Sequence, residues 1–195
     1  MKALALLALV LAAAPAAGRV IVVGDSNATG LGVPPAAAWP RRLERMLDTP
    51  VQVFGSPGAS LATPNVGLGT AARCVARMRG IFHPDVPVAI LALGTNDRLS
   101  TDAALREAVR NLLDSLTAPT RWVCLLPPPS RFDIQFVRDV VADECAAAGA
   151  EILDGAAILS RRSDLAPDGV HLSRSGHYRL ARAIATALRR PGDLR

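Results

Sequence analysis

The chain has 195 residues, 50% of them hydrophobic, 20% charged and 4% aromatic, with a formal net charge of +5 and a mean hydropathy of +0.27. That is enough apolar chain for one domain with its own core, and it excludes disorder of the bulk. Every basic residue except Lys2 is an arginine, and the arginines are scattered. A nucleic-acid binder concentrates its charge and interleaves it with stacking aromatics, so no nucleic-acid partner is expected.

Met1-Lys2 opens an apolar run from Ala3 to Ala14, followed by Pro15-Ala16-Ala17. A positive start, a short apolar stretch without a polar face and an A-x-A-type site read as a secretory signal peptide over 1–17. The run falls short of the roughly 20 residues that span a bilayer. The expectation is a secreted or periplasmic protein with one domain over 18–195, monomeric and not inserted in the membrane.

From there strand and helix patterns alternate. "RVIVVG" is an apolar run ending in glycine, and "AAWPRRLERML" carries Trp39, Leu43, Met46 and Leu47 at helical spacing. "VQVFG" is a short strand. "GTAARCVARMRG" reads as a helix stopped by Gly80, and "VPVAILALG" as the most apolar strand. A helix is predicted from about Thr101 to Leu116, capped by Ser100 or Thr101, with Leu105, Val109, Leu112 and Leu116 on one face. "TRWVCLL" is a strand stopped by Pro127-Pro128-Pro129. "DIQFVRDVVADECAAAG" is a helix, "AEILD" the last strand, and Ser173 starts the last helix.

Strands apolar on both faces and separated by helices predict a parallel sheet covered on both sides. The expected fold is α/β: a three-layer α/β/α domain with a five-stranded, parallel, doubly wound, flavodoxin-like sheet. Cys74, Cys124 and Cys145 each fall on an apolar pattern and read as buried thiols. In an oxidising compartment one pair would bridge, with all three pairings open.

In such a sheet ligands bind beyond the carboxyl ends of the strands. Gly24-Asp25-Ser26 follows the first strand, Gly55-Ser56-Pro57-Gly58-Ala59-Ser60 the second, and Gly94-Thr95-Asn96-Asp97 the third. Asp168-Gly169-Val170-His171 comes after the fifth. A hydroxyl, an amide, glycines, a carboxylate and an imidazole on one edge are the groups that acyl transfer by a nucleophilic serine needs. Other motifs fail. Ser26 and Thr29 break a G-x-G-x-x-G fingerprint, and no lysine supplies a P-loop. Ala28 stands where a G-x-S-x-G elbow has its last glycine. The cysteines and His83, His171 and His177 lack metal-ligand spacing. No metal and no cofactor are expected. Asp25 and Asp97 read as loop hydrogen-bonding groups, His83 as structural, and His177 as packed beside Leu180 and Ile184.

The four blocks "GDSN", "GSPGAS", "GTND" and "DGVH", in that order, resemble the GDSL, or SGNH, hydrolases over Val20 to Leu188. The resemblance implies Ser26 as nucleophile and Asp168 and His171 as its partners in a triad. It also implies an oxyanion hole from Ser26, Gly58 and Asn96. The family's second block is usually Asn-x-Gly-x-Ser-Gly. Phe54 and Pro57 depart from it here, so Gly58 is the aligned donor and Gly55 the alternative.

These roles agree with elementary chemistry. A serine hydroxyl is a poor nucleophile until a base takes its proton, and the base needs an orienting carboxylate. The expected activity is that of a serine esterase on short-chain acyl or O-acetyl esters, since little chain remains for a lid. The substrate is a small molecule, a polysaccharide or a lipid ester. An acyltransferase, a thioesterase or lysophospholipase, and an inactive binding module are the alternatives. Arg131 and Phe132, in "PPPSRFD" after the fourth strand, are the expected substrate contacts.

Overall fold

The structure, a computed structural model, describes residues 20–62, 88–115 and 121–189. The signal-peptide run, the helix read around Cys74, and His83 lie outside those residues.

Five strands form one sheet: β1 (Val20–Gly24), β2 (Val51–Gly55), β3 (Val88–Ala92), β4 (Arg121–Leu126) and β5 (Glu151–Asp154). Their order is β2-β1-β3-β4-β5, and every pairing is parallel. The α/β/α fold expected from the alternating pattern is the fold observed. The helices are α1 (Ser26–Thr29), α2 (Trp39–Leu47), α3 (Asp102–Ser115), α4 (Gln135–Ala147), α5 (Gly155–Ile158) and α6 (Arg174–Leu188).

Alternation along β1 explains the two cores. Ile21 and Val23 face one side, where they join Leu91, Leu105, Val109, Val137 and Val141 under α3 and α4. Val20 and Val22 face the other, with Ile90, Val123, Leu43, Leu180 and Ile184 under α2 and α6. A strand covered on both faces has no polar alternation to show, which is why these runs read as continuously apolar.

On the first side Glu144 of α4 is clamped by Arg106 at 3.0 Å and Arg110 at 2.6 Å from α3. Those guanidiniums hold the Glu144 carboxyl below its ordinary range. Cys124 of β4 and Cys145 of α4 are joined by a disulfide. This corrects the expectation of buried thiols: both side chains are fully buried, but the apolar pattern that identified their burial carries no information about pairing.

The sheet order reverses direction at β1, which has β2 on one side and β3 on the other. That switch point opens a crevice beyond the carboxyl ends of β1 and β3. Ser26 and Asn96 follow those two strands.

Candidate active site

Gly24 pairs with Gly55 and with Ala92 at the rim of the sheet. A Cβ on Gly24 would lie 2.2 Å from Cβ of Ala28, so glycine lets α1 fold straight back over the strand end. Asp25, not Ser26, caps this helix: its Oδ1 accepts the backbone N–H of Asn27 at 2.8 Å. Ser26 is therefore the first residue of the turn, with its Oγ free of the capping duty that serine often performs.

The histidine arrives from the far end of the chain. Oγ of Ser26 lies 3.1 Å from Nε2 of His171, and Nδ1 of His171 lies 2.7 Å from Oδ2 of Asp168. The other oxygen of Asp168 accepts the backbone N–H of Val170 at 2.8 Å and of His171 at 2.9 Å. Bonding to the His171 ring, then to these amides, pulls the Asp168 carboxyl down to about 2. It is a carboxylate across the whole neutral range. Gly169, at φ 67°, makes the turn between them.

The loop is braced from within by Ala166 N–H donating to His171 O at 2.8 Å and by an antiparallel bridge between Leu165 and Leu172. Behind it, Ser173 caps α6 by accepting from Gly176 N–H. What ties the loop to the serine is Asn27. Its Oδ1 accepts the backbone N–H of Leu172 at 3.0 Å, and its Nδ2 donates to Val170 O at 3.4 Å. The Asn27 amide thus grips the backbone on both sides of His171. Sequence reading missed this role; the one available signal was an amide directly after the serine.

The third block meets the second. Nδ2 of Asn96 donates to Ala59 O at 2.8 Å. Fully buried Asp97 accepts Leu61 N–H at 2.9 Å and Ala62 N–H at 2.8 Å. Ala59 N–H closes a turn onto Ser56 O at 3.0 Å. Gly58 sits in that turn at φ 78°, after Pro57, which is the residue order of a type II turn. Gly55 instead ends β2, where a Cβ would stand 2.0 Å from Gly24 O. Its missing side chain serves strand packing, and Gly58 is the glycine in the loop that Asn96 holds.

Asp25 is buried, and that burial pushes its carboxyl up to about 6. A cavity of about 20 Å³, room for one water, lies among Asp25, Asn27, Thr95 and Leu172. Both Asp25 and Asp97 are taken up by loop amides. His177 is fully buried under α2, with Nδ1 accepting Trp39 N–H at 3.2 Å. Burial holds its imidazole down at about 4. It packs the helix interface and does not reach Ser26.

Arg131 stands beside the histidine loop, its N–H donating to Gly169 O at 2.7 Å. Its guanidinium lies over the Phe132 ring, 4.8 Å from the centroid, and Arg98 lies over the same ring at 4.6 Å. Arg98 directly follows the "GTND" block and was not singled out by sequence. Among the described residues there is no group of three or more side chains placed to hold a metal ion, and no helix is long and apolar enough to cross a membrane.

A doubly wound five-stranded sheet with this serine on its first turn and this histidine near the last helix defines an SGNH-type hydrolase. Residues 22–179 match the model of the GDSL-like lipase/acylhydrolase family, and the chain belongs to that family. No curated protein sequence matches it. The fold is shared with a carbohydrate acetylesterase, Est24, from Sinorhizobium meliloti, at 17% identity and a TM-score of 0.73 over 87% of this chain and 97% of that one. It is shared also with the inhibitor-bound aryl esterase of M. smegmatis, at 20% identity and a TM-score of 0.72 over 89% and 99%. TesA aligns at 18% identity with a TM-score of 0.68 over 88% and 98%.

Proposed function

We propose that this protein is a serine esterase that hydrolyses small carboxylic esters, short-chain acyl or O-acetyl, through an acyl-enzyme. The observation that carries the reading is the unbroken hydrogen-bonded line from Ser26 Oγ through the His171 ring to the Asp168 carboxylate, with separations of 3.1 and 2.7 Å. Both lie within reach of proton transfer or orientation. The family and the esterases that share the fold support the reaction class.

His171 Nε2 takes the Ser26 proton as Oγ bonds to the ester carbonyl carbon. The carbonyl π-electrons move to oxygen. Asp168 holds the Nδ1–H tautomer and stabilises the imidazolium. The backbone N–H groups of Ser26 and Gly58 and the Asn96 amide face the developing oxyanion. An amide nitrogen has two protons, so Asn96 can bond Ala59 with one and the oxyanion with the other. Collapse breaks the bond to the alcohol oxygen, which receives the proton from His171. Water, deprotonated by the same imidazole, then releases the acid and restores Ser26.

The reading extends to location. A signal-like run at the start and a disulfide between Cys124 and Cys145 both suit a secreted or periplasmic protein, because such bonds persist in oxidising compartments. The deciding experiment is Ser26→Ala assayed with p-nitrophenyl acetate, alongside labelling of the wild type by a fluorophosphonate. Loss of turnover with an unchanged melting temperature, and a label on Ser26, support it. Retained turnover moves the nucleophile elsewhere and ends it.

A further inference from the structure

Of the fifteen arginines that are described, six carry a carboxylate partner: Arg41 with Glu44, Arg106 and Arg110 with Glu144, Arg121 with Glu151, Arg138 with Asp154, and Arg179 with Asp164. Arg98 and Arg131, both exposed, are among the nine without one among the described residues, and they are the two that lie over the Phe132 ring. The carboxylates beside them in the chain or across the Arg131–Gly169 contact are otherwise engaged. Asp97 accepts from Leu61 and Ala62, Asp133 accepts from Gln135 N–H, and Asp168, beside Gly169, belongs to His171.

Their placement is specific. Arg98 comes two residues after Asn96, on the loop beyond β3. Arg131 comes after β4, bonded through its N–H to the loop that carries His171. The two guanidiniums converge on one ring, Phe132, which packs against the main core. A core-anchored ring beneath a guanidinium restricts its motion, while its N–H edge stays open to bond a planar anion in pairs. Two uncompensated cations are thus held between the Asn96 loop and the His171 loop.

We propose that Arg98 and Arg131, held over Phe132, form a subsite for a carboxylate borne by the substrate, so that preferred esters carry a negative charge near the scissile bond. The proposal rests on the serine-esterase reading and adds the substrate's charge to it. The carboxylate can belong to the alcohol part, as in an acylated acidic sugar, or to the acyl part, as in a dicarboxylic half-ester.

The test uses two matched pairs of esters. Para-acetoxybenzoate against its methyl ester places the charge on the alcohol. Mono-p-nitrophenyl succinate against p-nitrophenyl butyrate places it on the acyl group. In the Arg98→Gln/Arg131→Gln double variant, the charged-to-neutral ratio of kcat/KM falls about tenfold for one pair. The neutral ester of each pair is the internal reference for any general effect of the substitutions, and the Arg98→Lys/Arg131→Lys variant recovers part of the ratio. Raising salt from about 20 to about 500 mM erodes the wild-type ratio and leaves that of the Gln variant flat. Unchanged ratios for both pairs, with the variant's melting temperature unaltered, overturn the subsite. Calorimetric binding of para-hydroxybenzoate and succinate, neither of which needs turnover, separates the two readings. Binding that requires the arginines in a protein that hydrolyses no ester keeps the subsite and removes the esterase. Hydrolysis of neutral esters with no charge preference and no arginine-dependent binding does the reverse.

Discussion

Asn27→Ala isolates the contact that joins the two ends of the chain. The substitution deletes the acceptor for Leu172 N–H, a 3.0 Å bond from a residue only 1% exposed. A buried donor left without a partner costs about 1–3 kcal/mol. The second bond lost, to Val170 O at 3.4 Å, is longer and adds little. Stability should therefore fall by an amount any melting experiment resolves.

The larger effect should fall on turnover. Oγ of Ser26 and Nε2 of His171 are 3.1 Å apart, close to the outer edge of about 3.2 Å at which a base works directly. There is little slack, and a displacement of about 1 Å costs up to about 10²-fold in rate. The assay is kcat and KM for p-nitrophenyl acetate at a temperature well below the variant's transition. Asn27→Ala is expected to lower kcat about tenfold or more while KM moves within about threefold. A variant that melts earlier but turns over within about twofold of wild type would show that Asn27 does not position His171. The internal bracing of the histidine loop would then suffice without its tie to the nucleophile.

Asn96→Ala is expected to lower kcat by about 10²–10³, with KM little changed, as for loss of one oxyanion donor; an equal loss in KM alone would make Asn96 a ground-state contact. Asp25 keeps its proton in the folded state up to about pH 6, whereas in the unfolded chain it ionises near its ordinary carboxyl value. The stability this raised pKa brings is complete below that ordinary value and disappears as pH rises through about 6. Denaturant titrations should show Asp25→Asn gaining on wild type from about pH 4 to 6, by about 3 kcal/mol at most, then levelling; parallel curves would place the carboxyl in water. Reducing the Cys124–Cys145 bond, whose ends are 21 residues apart, should cost about 3 kcal/mol by loop entropy. The unreduced, denatured chain should titrate with one thiol, that of Cys74; three would deny the bridge.

The fold was legible because its strands lie between two layers of helices. Residues such as Val20 to Val23 are buried on both faces, so apolar runs, helical spacing and glycine stops sufficed to order the elements. The site groups were legible for a related reason, since a parallel sheet sends everything after a strand to one edge. What composition and period do not encode is which loop touches which. The Asn27 grip on the backbone around His171 joins residues 145 apart, and the Phe132 platform draws its cations from two loops. The pairing of Cys124 with Cys145 likewise depends on β4 lying under α4. That Gly55 is pressed onto Gly24, whereas Gly58 lies in the turn beside Asn96, needed the register of β1 against β2 and the contact of Asn96 with Ala59.

Pairwise ties divide the site into two assemblies. Ser26 and Asn27 bind the loop that holds Asp168 and His171. Asn96 and Asp97 bind the loop that holds Gly58. The first assembly contains the proposed nucleophile and its proposed base; the second contains two of the proposed oxyanion donors. Their shared foundation is the rim where Gly24 of β1 lies beside Ala92 of β3 and Gly55 of β2, and three small residues there let the turns crowd together. Asp25 sits at this junction, capping α1 on one side and hydrogen-bonded to Thr95 on the other. Both of these bonds favour the carboxylate, and the burial of the side chain outweighs them, so Asp25 joins the two loops and still keeps its proton up to about pH 6. The raised pKa of Asp25 is thus the balance between two bonds that tie the loops and the burial that tying them imposes.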